Sequence, residues 1–159
     1  MIVADTNLIA YRLVQGEKTT EAVAVWGKDP EWFVPALWRH ELLSVLATHA
    51  RHGNLTEKEG LSIFEHALLL FQHREYQPSF SEALSLAVQR KITPYDAQFI
   101  LCACQLGAWL VTADQELLRK FPERAISPRD FLEMDRGVLC ENKTTYGATK
   151  KRLLKKRTS

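Results

Sequence analysis

The chain has little cysteine and no apolar run long enough to cross a bilayer. Its 159 residues include three cysteines, and an odd number in a chain of this length does not indicate a disulfide framework. Its most apolar run, residues 67–71, is far shorter than the roughly 20 residues that a membrane helix needs. The first residues lack the basic and long apolar regions of a secretory signal. We therefore expect a protein of the reducing cytoplasm that makes no contact with a membrane.

Several motifs of well-defined chemistry are also missing from the sequence. There is no Gly-x-x-x-x-Gly-Lys loop and no Gly-x-Gly-x-x-Gly fingerprint, so nothing supports the binding of a nucleotide cofactor. The five histidines form no His-Glu-x-x-His motif, which argues against a zinc protease. The acidic residues are left as the main candidates for chemistry.

Charge is distributed unevenly along the chain. Residues 1–135 hold 13 basic and 18 acidic residues, whereas residues 136–159 hold eight basic residues and one acidic residue. We predict one domain over residues 1–134, followed by a basic C-terminal extension over residues 135–159. The extension is either disordered or helical near Lys150 to Arg157. It could bind phosphates, or it could simply aid solubility.

Short apolar segments alternate with longer amphipathic ones. The pattern predicts strands at residues 1–4, 32–34, 75–77, 108–112 and 125–127. It predicts helices at residues 7–14, 20–26, 36–52, 57–73, 80–90 and 94–106, with short helical turns after residues 114 and 128. Gly27 is expected to end the second helix. Strands that alternate with helices indicate an α/β domain with a mostly parallel sheet and right-handed crossovers.

Four acidic residues occupy related places in this pattern. Asp5 and Asp114 each follow a predicted strand, and ligands of open α/β sheets collect outside the carboxyl ends of strands. Glu41 lies near the start of the helix after the second strand, and Asp96 lies in the first turn after a proline. We expect all four carboxylates to meet at the same rim of the sheet.

Such a cluster requires a counter-charge. Two carboxylates 4 Å apart repel each other by about 4 kcal/mol at an effective dielectric constant near 20. Mg²⁺ prefers oxygen ligands and retains several waters, so a few carboxylates and a substrate phosphate suit it. A divalent cation here would support phosphodiester hydrolysis without a Ser, Cys or His nucleophile.

Each acid also has a simpler structural explanation. Asp5 and Asp114 could each cap the helix that follows. Glu41 could be an exposed residue of an amphipathic helix, and Asp96 could serve only the helix dipole. The prediction of a shared site therefore depends on the combination.

Four sequence segments, residues 1–9, 34–46, 92–99 and 110–117, together resemble the PIN domain family, and within it the bacterial VapC-type toxins. The resemblance implies a PIN-like three-layer α/β/α sandwich with a central, mostly parallel sheet. It implies an endoribonuclease that depends on Mg²⁺, with Mn²⁺ as a substitute, and that acts as the toxin of a type II toxin–antitoxin pair. The implied partners are an RNA substrate and a cognate antitoxin protein.

The resemblance also assigns roles to individual residues. The acids that match the catalytic and metal-binding positions of the family are Asp5, Glu41, Asp96 and Asp114. Asn7 and Thr112 match polar positions beside them. Glu116 is a further candidate, as an outer acid that shares the work of Asp114.

Other features lead to predictions about surfaces. Leu61, Phe64, Leu68 and Phe71 form the expected inner stripe of their helix, whose apolar share also suggests a homodimer. Trp38 is the tryptophan that we would test for contact with substrate. Positive surface for RNA could come from the basic extension or from three arginines, namely Arg12, Arg39 and Arg51.

Two rival functions belong to other classes. One is a catalytically silent PIN-like module that binds RNA or a protein, against which the intact set of acids argues. The other is a phosphatase or receiver-like domain with a strand-end aspartate as phosphoryl acceptor. Asp5 lacks a second acid two residues later, and no suitably placed lysine is evident, so the motif fits poorly.

Overall fold

The structure, a computed structural model, describes residues 1–134, and the predictions for residues 135–159 lie outside this range. The strands are β1 Ile2–Ala4, β2 Trp32–Pro35, β3 Glu75–Tyr76, β4 Leu110–Val111 and β5 Ala125–Ile126. The helices are α1 Thr6–Leu13, α2 Thr19–Lys28, α3 Trp38–Arg51, α4 Glu57–Phe71, α5 Phe80–Arg90, α6 Pro94–Leu106, α7 Gln115–Lys120 and α8 Pro128–Glu133. Within residues 1–134, no helix has both the length and the apolarity that crossing a bilayer demands.

The strands form one sheet in the order β3-β2-β1-β4-β5, and every neighbouring pair is parallel. The predicted mostly parallel sheet is therefore confirmed. Strand β1 lies in the centre, where Ile2 pairs with Trp32 and Val3 pairs with Leu110. Because all strands run the same way, their carboxyl ends lie along a single edge of the sheet.

Alternation along β1 divides the core into two halves. Ile2 and Ala4 are buried in one apolar cluster with residues of α1, α2, α3, α4 and α8. Val3 points to the opposite face and packs with residues of α6 and α7. Helix α5 packs against α6 on that side. The helices thus cover both faces of the sheet, which confirms the three-layer sandwich.

Two expectations about helices are wrong. Helix α2 does not end at Gly27 but continues to Lys28, whose ammonium donates to the carbonyls of Phe131 (2.7 Å) and Leu132 (3.0 Å). A glycine costs a helix only about 1 kcal/mol, which this tertiary contact with the end of α8 can offset.

In α4, Leu61 does not lie on the inner stripe. The fully buried positions of this helix are Gly60, Ala67 and Phe71, and Leu61 remains 57% exposed. Successive residues of a helix point about 100° apart around its axis. Because Gly60 lies on the buried face, the next residue, Leu61, points away from that face. Gly60 faces Leu46 of α3, and the sequence pattern does not reveal this packing between helices.

Candidate active site

Asp5 begins the site at the carboxyl end of β1. It is the N-cap of α1, and its Oδ1 accepts a long hydrogen bond from the Asn7 backbone N–H at 3.5 Å. Its Oδ2 accepts from the Thr112 hydroxyl at 2.5 Å. One oxygen therefore serves the helix cap while the other is held at the neighbouring strand end, so capping does not use the whole carboxylate.

Thr112 connects two of the acids. It directly follows β4 and is fully buried. While its hydroxyl donates to Asp5, its Oγ1 accepts from the Asp114 backbone N–H at 3.0 Å. Asp114 in turn caps α7, since its Oδ1 accepts from the backbone N–H groups of Glu116 (2.8 Å) and Leu117 (2.9 Å). One buried hydroxyl thus fixes the segments that carry Asp5 and Asp114.

Glu41 reaches the same rim from the first turn of α3. Its Oε2 accepts from the Thr6 hydroxyl at 2.5 Å, and Thr6 is itself buried at the start of α1. This bond joins residues 35 positions apart in the sequence. It holds a flexible glutamate side chain next to Asp5.

Asp96 lies in the first turn of α6, which follows α5 rather than a strand. The helix leads into β4, so it runs back across the sheet and starts at the carboxyl edge. Asp96 and Thr93 bond reciprocally: Thr93 Oγ1 donates to Asp96 Oδ2 at 2.7 Å and accepts from the Asp96 N–H at 3.0 Å. This cap fixes the first turn of the helix and the direction of the carboxylate.

The four acids line one cavity of about 290 Å³. The residues around it are Asp5, Thr6, Asn7, Glu41, Ser44, Val45, Asp96, Phe99, Asp114 and Leu117. The structure therefore brings together the four carboxylates and Asn7.

Two of the predicted residues do not line this cavity. Thr112 lies behind it and acts through its bonds to Asp5 and Asp114. Glu116 directs its carboxylate to Lys120, at 2.5 Å, on the exposed side of α7. A role for Glu116 as an outer acid would require it to leave this ion pair.

Sequence reasoning missed five lining residues, namely Thr6, Ser44, Val45, Phe99 and Leu117. Thr6 adjoins Asp5, and its contact with Glu41 depends on how α1 packs against α3. Ser44 lies three residues after Glu41 and Phe99 three residues after Asp96, so each shares a helix face with an acid. The i, i+3 spacing from each acid is the signal that could have found them.

The electrostatics of the cavity oppose the ionisation of Asp5 and Glu41. Burial raises the pKa of Asp5, and the charge of Asp114 raises it further, while the hydrogen bonds from Thr112 and Asn7 act in the opposite direction. Burial also raises the pKa of Glu41, as do the charges of Asp5 and Asp96, against the lowering effect of the Thr6 hydroxyl. A nearby cation would remove this penalty.

The donors present suit a hard divalent cation. The titratable side chains that line the cavity offer carboxylate oxygen, without histidine or cysteine. Within residues 1–134, no three acidic, histidine or cysteine side chains form a preassembled ligand cluster; the carboxylates instead surround an open space. Carboxylate oxygen is the type of ligand that hard divalent cations prefer.

The raised pKa values lead to a prediction about stability and pH. Without divalent cations, Asp5 and Glu41 should hold their protons in the folded state above their ordinary pKa values of 3.8 and 4.5. The contribution of these two carboxyl groups to the free energy of unfolding is fully present below their ordinary pKa values. It is lost as pH rises through their folded-state pKa values, because the folded protein then has to hold them ionised. We expect the stability advantage of Asp5→Asn over wild type to grow as pH rises from about 4 to 7. Urea denaturation in EDTA measures this difference, and parallel pH profiles for the two proteins would contradict it.

Trp38 is not available to substrate. Its side chain is fully buried, and its Nε1 donates to Glu75 Oε1 at 2.8 Å, so the suggested contact with substrate is wrong.

The Glu75 oxygen that accepts from Trp38 also accepts from Arg39 Nε at 2.6 Å. The Arg12 guanidinium lies 4.0 Å from the centre of the Trp26 ring. Both arginines thus have partners within the fold, and positive surface for RNA from either would require these contacts to change.

Comparison with known proteins agrees with this architecture. The PIN domain family model matches residues 2–123. Ribonuclease VapC3 from Pyrobaculum aerophilum is 30% identical over 124 residues, which cover 76% of this chain and 95% of that protein. The crystal structure of PAE2754 from Pyrobaculum aerophilum has the same fold, with a TM-score of 0.67 at 24% identity over 83% of this chain and 93% of that one. The chain belongs to the PIN domain family.

Proposed function

We propose that this protein is a metal-dependent endoribonuclease. The observation that carries the proposal is the convergence of Asp5, Glu41, Asp96 and Asp114 on one cavity at the carboxyl edge of the sheet. RNA as the substrate is supported by the likeness to a protein named Ribonuclease VapC3. A silent binding module would gain nothing from keeping four mutually repelling acids in a partly buried cavity.

The four carboxylates would hold Mg²⁺, with Mn²⁺ as a substitute. When bound, the cation would polarise a phosphoryl oxygen and make water a stronger nucleophile. Asp5 suits a ligand role because Thr112 fixes one of its oxygens. Thr6 similarly fixes one oxygen of Glu41, whose side chain lines the cavity.

Glu41 is our candidate for accepting the proton of the attacking water. Its carboxylate lines the cavity beside the other acids, and the Thr6 hydroxyl holds one of its oxygens in place. Asn7, at the mouth of the cavity, offers an amide that can orient a phosphate oxygen.

A cleavage assay tests the proposal. Purified protein is incubated with unstructured RNA in Mg²⁺, in Mn²⁺ or in EDTA, beside Asp5→Asn prepared in the same way. We expect internal cuts with either cation, none in EDTA, and little activity from the variant. Wild-type protein that cuts no better than the variant would favour the silent binding module.

We further propose that the enzyme is the toxin of a type II toxin–antitoxin pair and acts in the cytoplasm. Its likeness to a protein of the VapC type supports this role. The partner would be a small antitoxin that blocks the acidic cavity. A short reading frame next to this gene should then encode a protein that binds this chain and suppresses cleavage, and co-purification of the two proteins measures it.

A homodimer is a further prediction, and the groove between α3 and α4 is its candidate surface. The groove measures about 230 Å³ and is bordered by Leu43 (47% exposed) and Leu61 (57% exposed). Burial of two such leucines favours association. Light scattering should give twice the chain mass for wild type and a monomer for Leu61→Lys. A monomeric wild type at high concentration would contradict the prediction.

The basic extension should contribute to RNA affinity. Residues 136–159 add eight basic residues to a body with a net charge of −5. Each phosphate contact that the extension makes contributes about 0.7 to the slope of log affinity against log salt for single-stranded RNA. Deletion of residues 136–159 should therefore weaken binding and reduce the salt slope. Unchanged affinity and slope in fluorescence anisotropy would show that the extension serves another purpose.

A further inference from the structure

A second cavity adjoins the acidic one, in the groove between α1 and α3. It measures about 380 Å³, and it shares Asn7 and Val45 with the acidic cavity. From Glu41 the groove follows α3 to His49, a distance of about 12 Å along the helix at 1.5 Å per residue. A strand bound at the acids would meet this second cavity directly.

The chemistry of the second cavity differs from that of the first. Its floor is mainly apolar, formed by side chains such as Ala10 and Val14. Tyr11 and Lys18 stand beside each other on its wall, with the Lys18 ammonium 4.7 Å from the centre of the Tyr11 ring. A volume of this size lies within the range of cavities that hold small ligands.

Two polar side chains belong to the same wall. The His49 ring lines the cavity, and its Nδ1 is buried without a hydrogen-bond partner within residues 1–134. The Lys18 ammonium is exposed, and its hydrogen bond to the Tyr11 hydroxyl is long, at 3.4 Å. An aromatic ring, an imidazole and a cation thus share one wall beside a cavity suited to a phosphodiester.

We propose that this cavity binds the base of an unpaired RNA nucleotide that flanks the scissile phosphate. Unpaired bases are held by aromatic rings and apolar surface together with hydrogen bonds to base edges, and the lining supplies these features. Lys18 pairs with the phosphate of that nucleotide, in a body whose net charge is otherwise negative. This inference rests on the proposed ribonuclease function.

Kinetics on short single-stranded RNA provides the first test. Tyr11→Leu removes the ring but keeps apolar volume, and Lys18→Gln removes the charge. Each should raise KM about tenfold with kcat nearly unchanged, the scale expected for loss of base stacking or a phosphate contact. Tyr11→Phe should retain most of the affinity. Lys58→Gln, at an exposed lysine in the first turn of α4, is the matched control and should leave KM unchanged.

A binding measurement separates this inference from the nuclease proposal. The metal-free protein is titrated with the four nucleoside 5′-monophosphates while NMR follows the His49 ring signals. We expect shifts in wild type and in Lys58→Gln, and much smaller shifts in Lys18→Gln. Such shifts without any RNA cleavage would support the subsite and contradict the ribonuclease proposal. The subsite would be overturned if Tyr11→Leu and Lys18→Gln both cleave RNA with the wild-type KM and the nucleotides cause no His49 shifts. The cavity would then be assigned to binding of a protein segment instead.

Discussion

Asp96→Asn should reduce RNA cleavage at least about 100-fold while the protein stays folded. The asparagine can still accept from the Thr93 hydroxyl, so the start of α6 is preserved. What is lost is one negative oxygen in a cavity that has to hold a divalent cation and a phosphate. Losses of this size follow when a group that stabilises transition-state charge is removed. Single-turnover cleavage in Mg²⁺ measures the effect.

The chain contains a closely matched control for this variant. Asp130 occupies the same place in the first turn of α8, where the Ser127 hydroxyl bonds to it at 2.6 Å and accepts from its N–H at 3.1 Å. Asp130 does not line the acidic cavity. Asp130→Asn should therefore change stability as little as Asp96→Asn does, and it should leave cleavage intact. Equal activity in the two variants would mean that Asp96 acts only as a cap.

Thr112→Val should have the second large effect, through the positions of Asp5 and Asp114. The substitution conserves shape but removes the hydroxyl that donates to Asp5 and accepts from the Asp114 N–H. Two partly buried groups then lack a partner, at a cost of about 1–3 kcal/mol in the free energy of unfolding. We expect a 10- to 100-fold weaker response to Mn²⁺, the range typical of lost outer contacts at metal sites.

Thr112→Ser distinguishes positioning from packing. The serine keeps the hydroxyl and loses only a methyl group, so metal response and cleavage should return close to wild type while some stability remains lost. If Thr112→Val retains the wild-type concentration dependence on Mn²⁺ in the cleavage assay, then Thr112 serves the fold alone.

Much of the architecture could be predicted because it depends on local patterns. The apolar segment Ile2–Ala4 followed by Asp5 predicts a buried strand with an acid at its end, and the same reasoning applies to Leu110–Val111 and Asp114. Parallel pairing then places both acids at one edge. Asp5 and Asp114 also cap helices, and this structural role does not exclude a chemical one.

The remaining features depend on contacts between distant parts of the chain. The bond from Thr6 to Glu41 forms only when α1 and α3 pack together. Trp38 packs in the core against the Phe71 ring, while Glu75, in a strand 37 residues later, accepts its N–H. The groove that contains Tyr11, Lys18 and His49 likewise exists only between packed helices. No periodicity in the sequence reports such pairings, because each of them is set by tertiary packing.

Calorimetric titration with Mn²⁺ tests most directly whether the four acids form a divalent-cation site. Wild-type protein should bind Mn²⁺ and gain thermal stability from it, because a ligand that prefers the folded state raises its stability. The double variant Asp5→Asn/Asp96→Asn should show neither heat of binding nor stabilisation, although it is at least as stable as wild type in EDTA. Equal Mn²⁺ binding by the two proteins, or no binding by wild type in the presence or absence of RNA, would contradict the account.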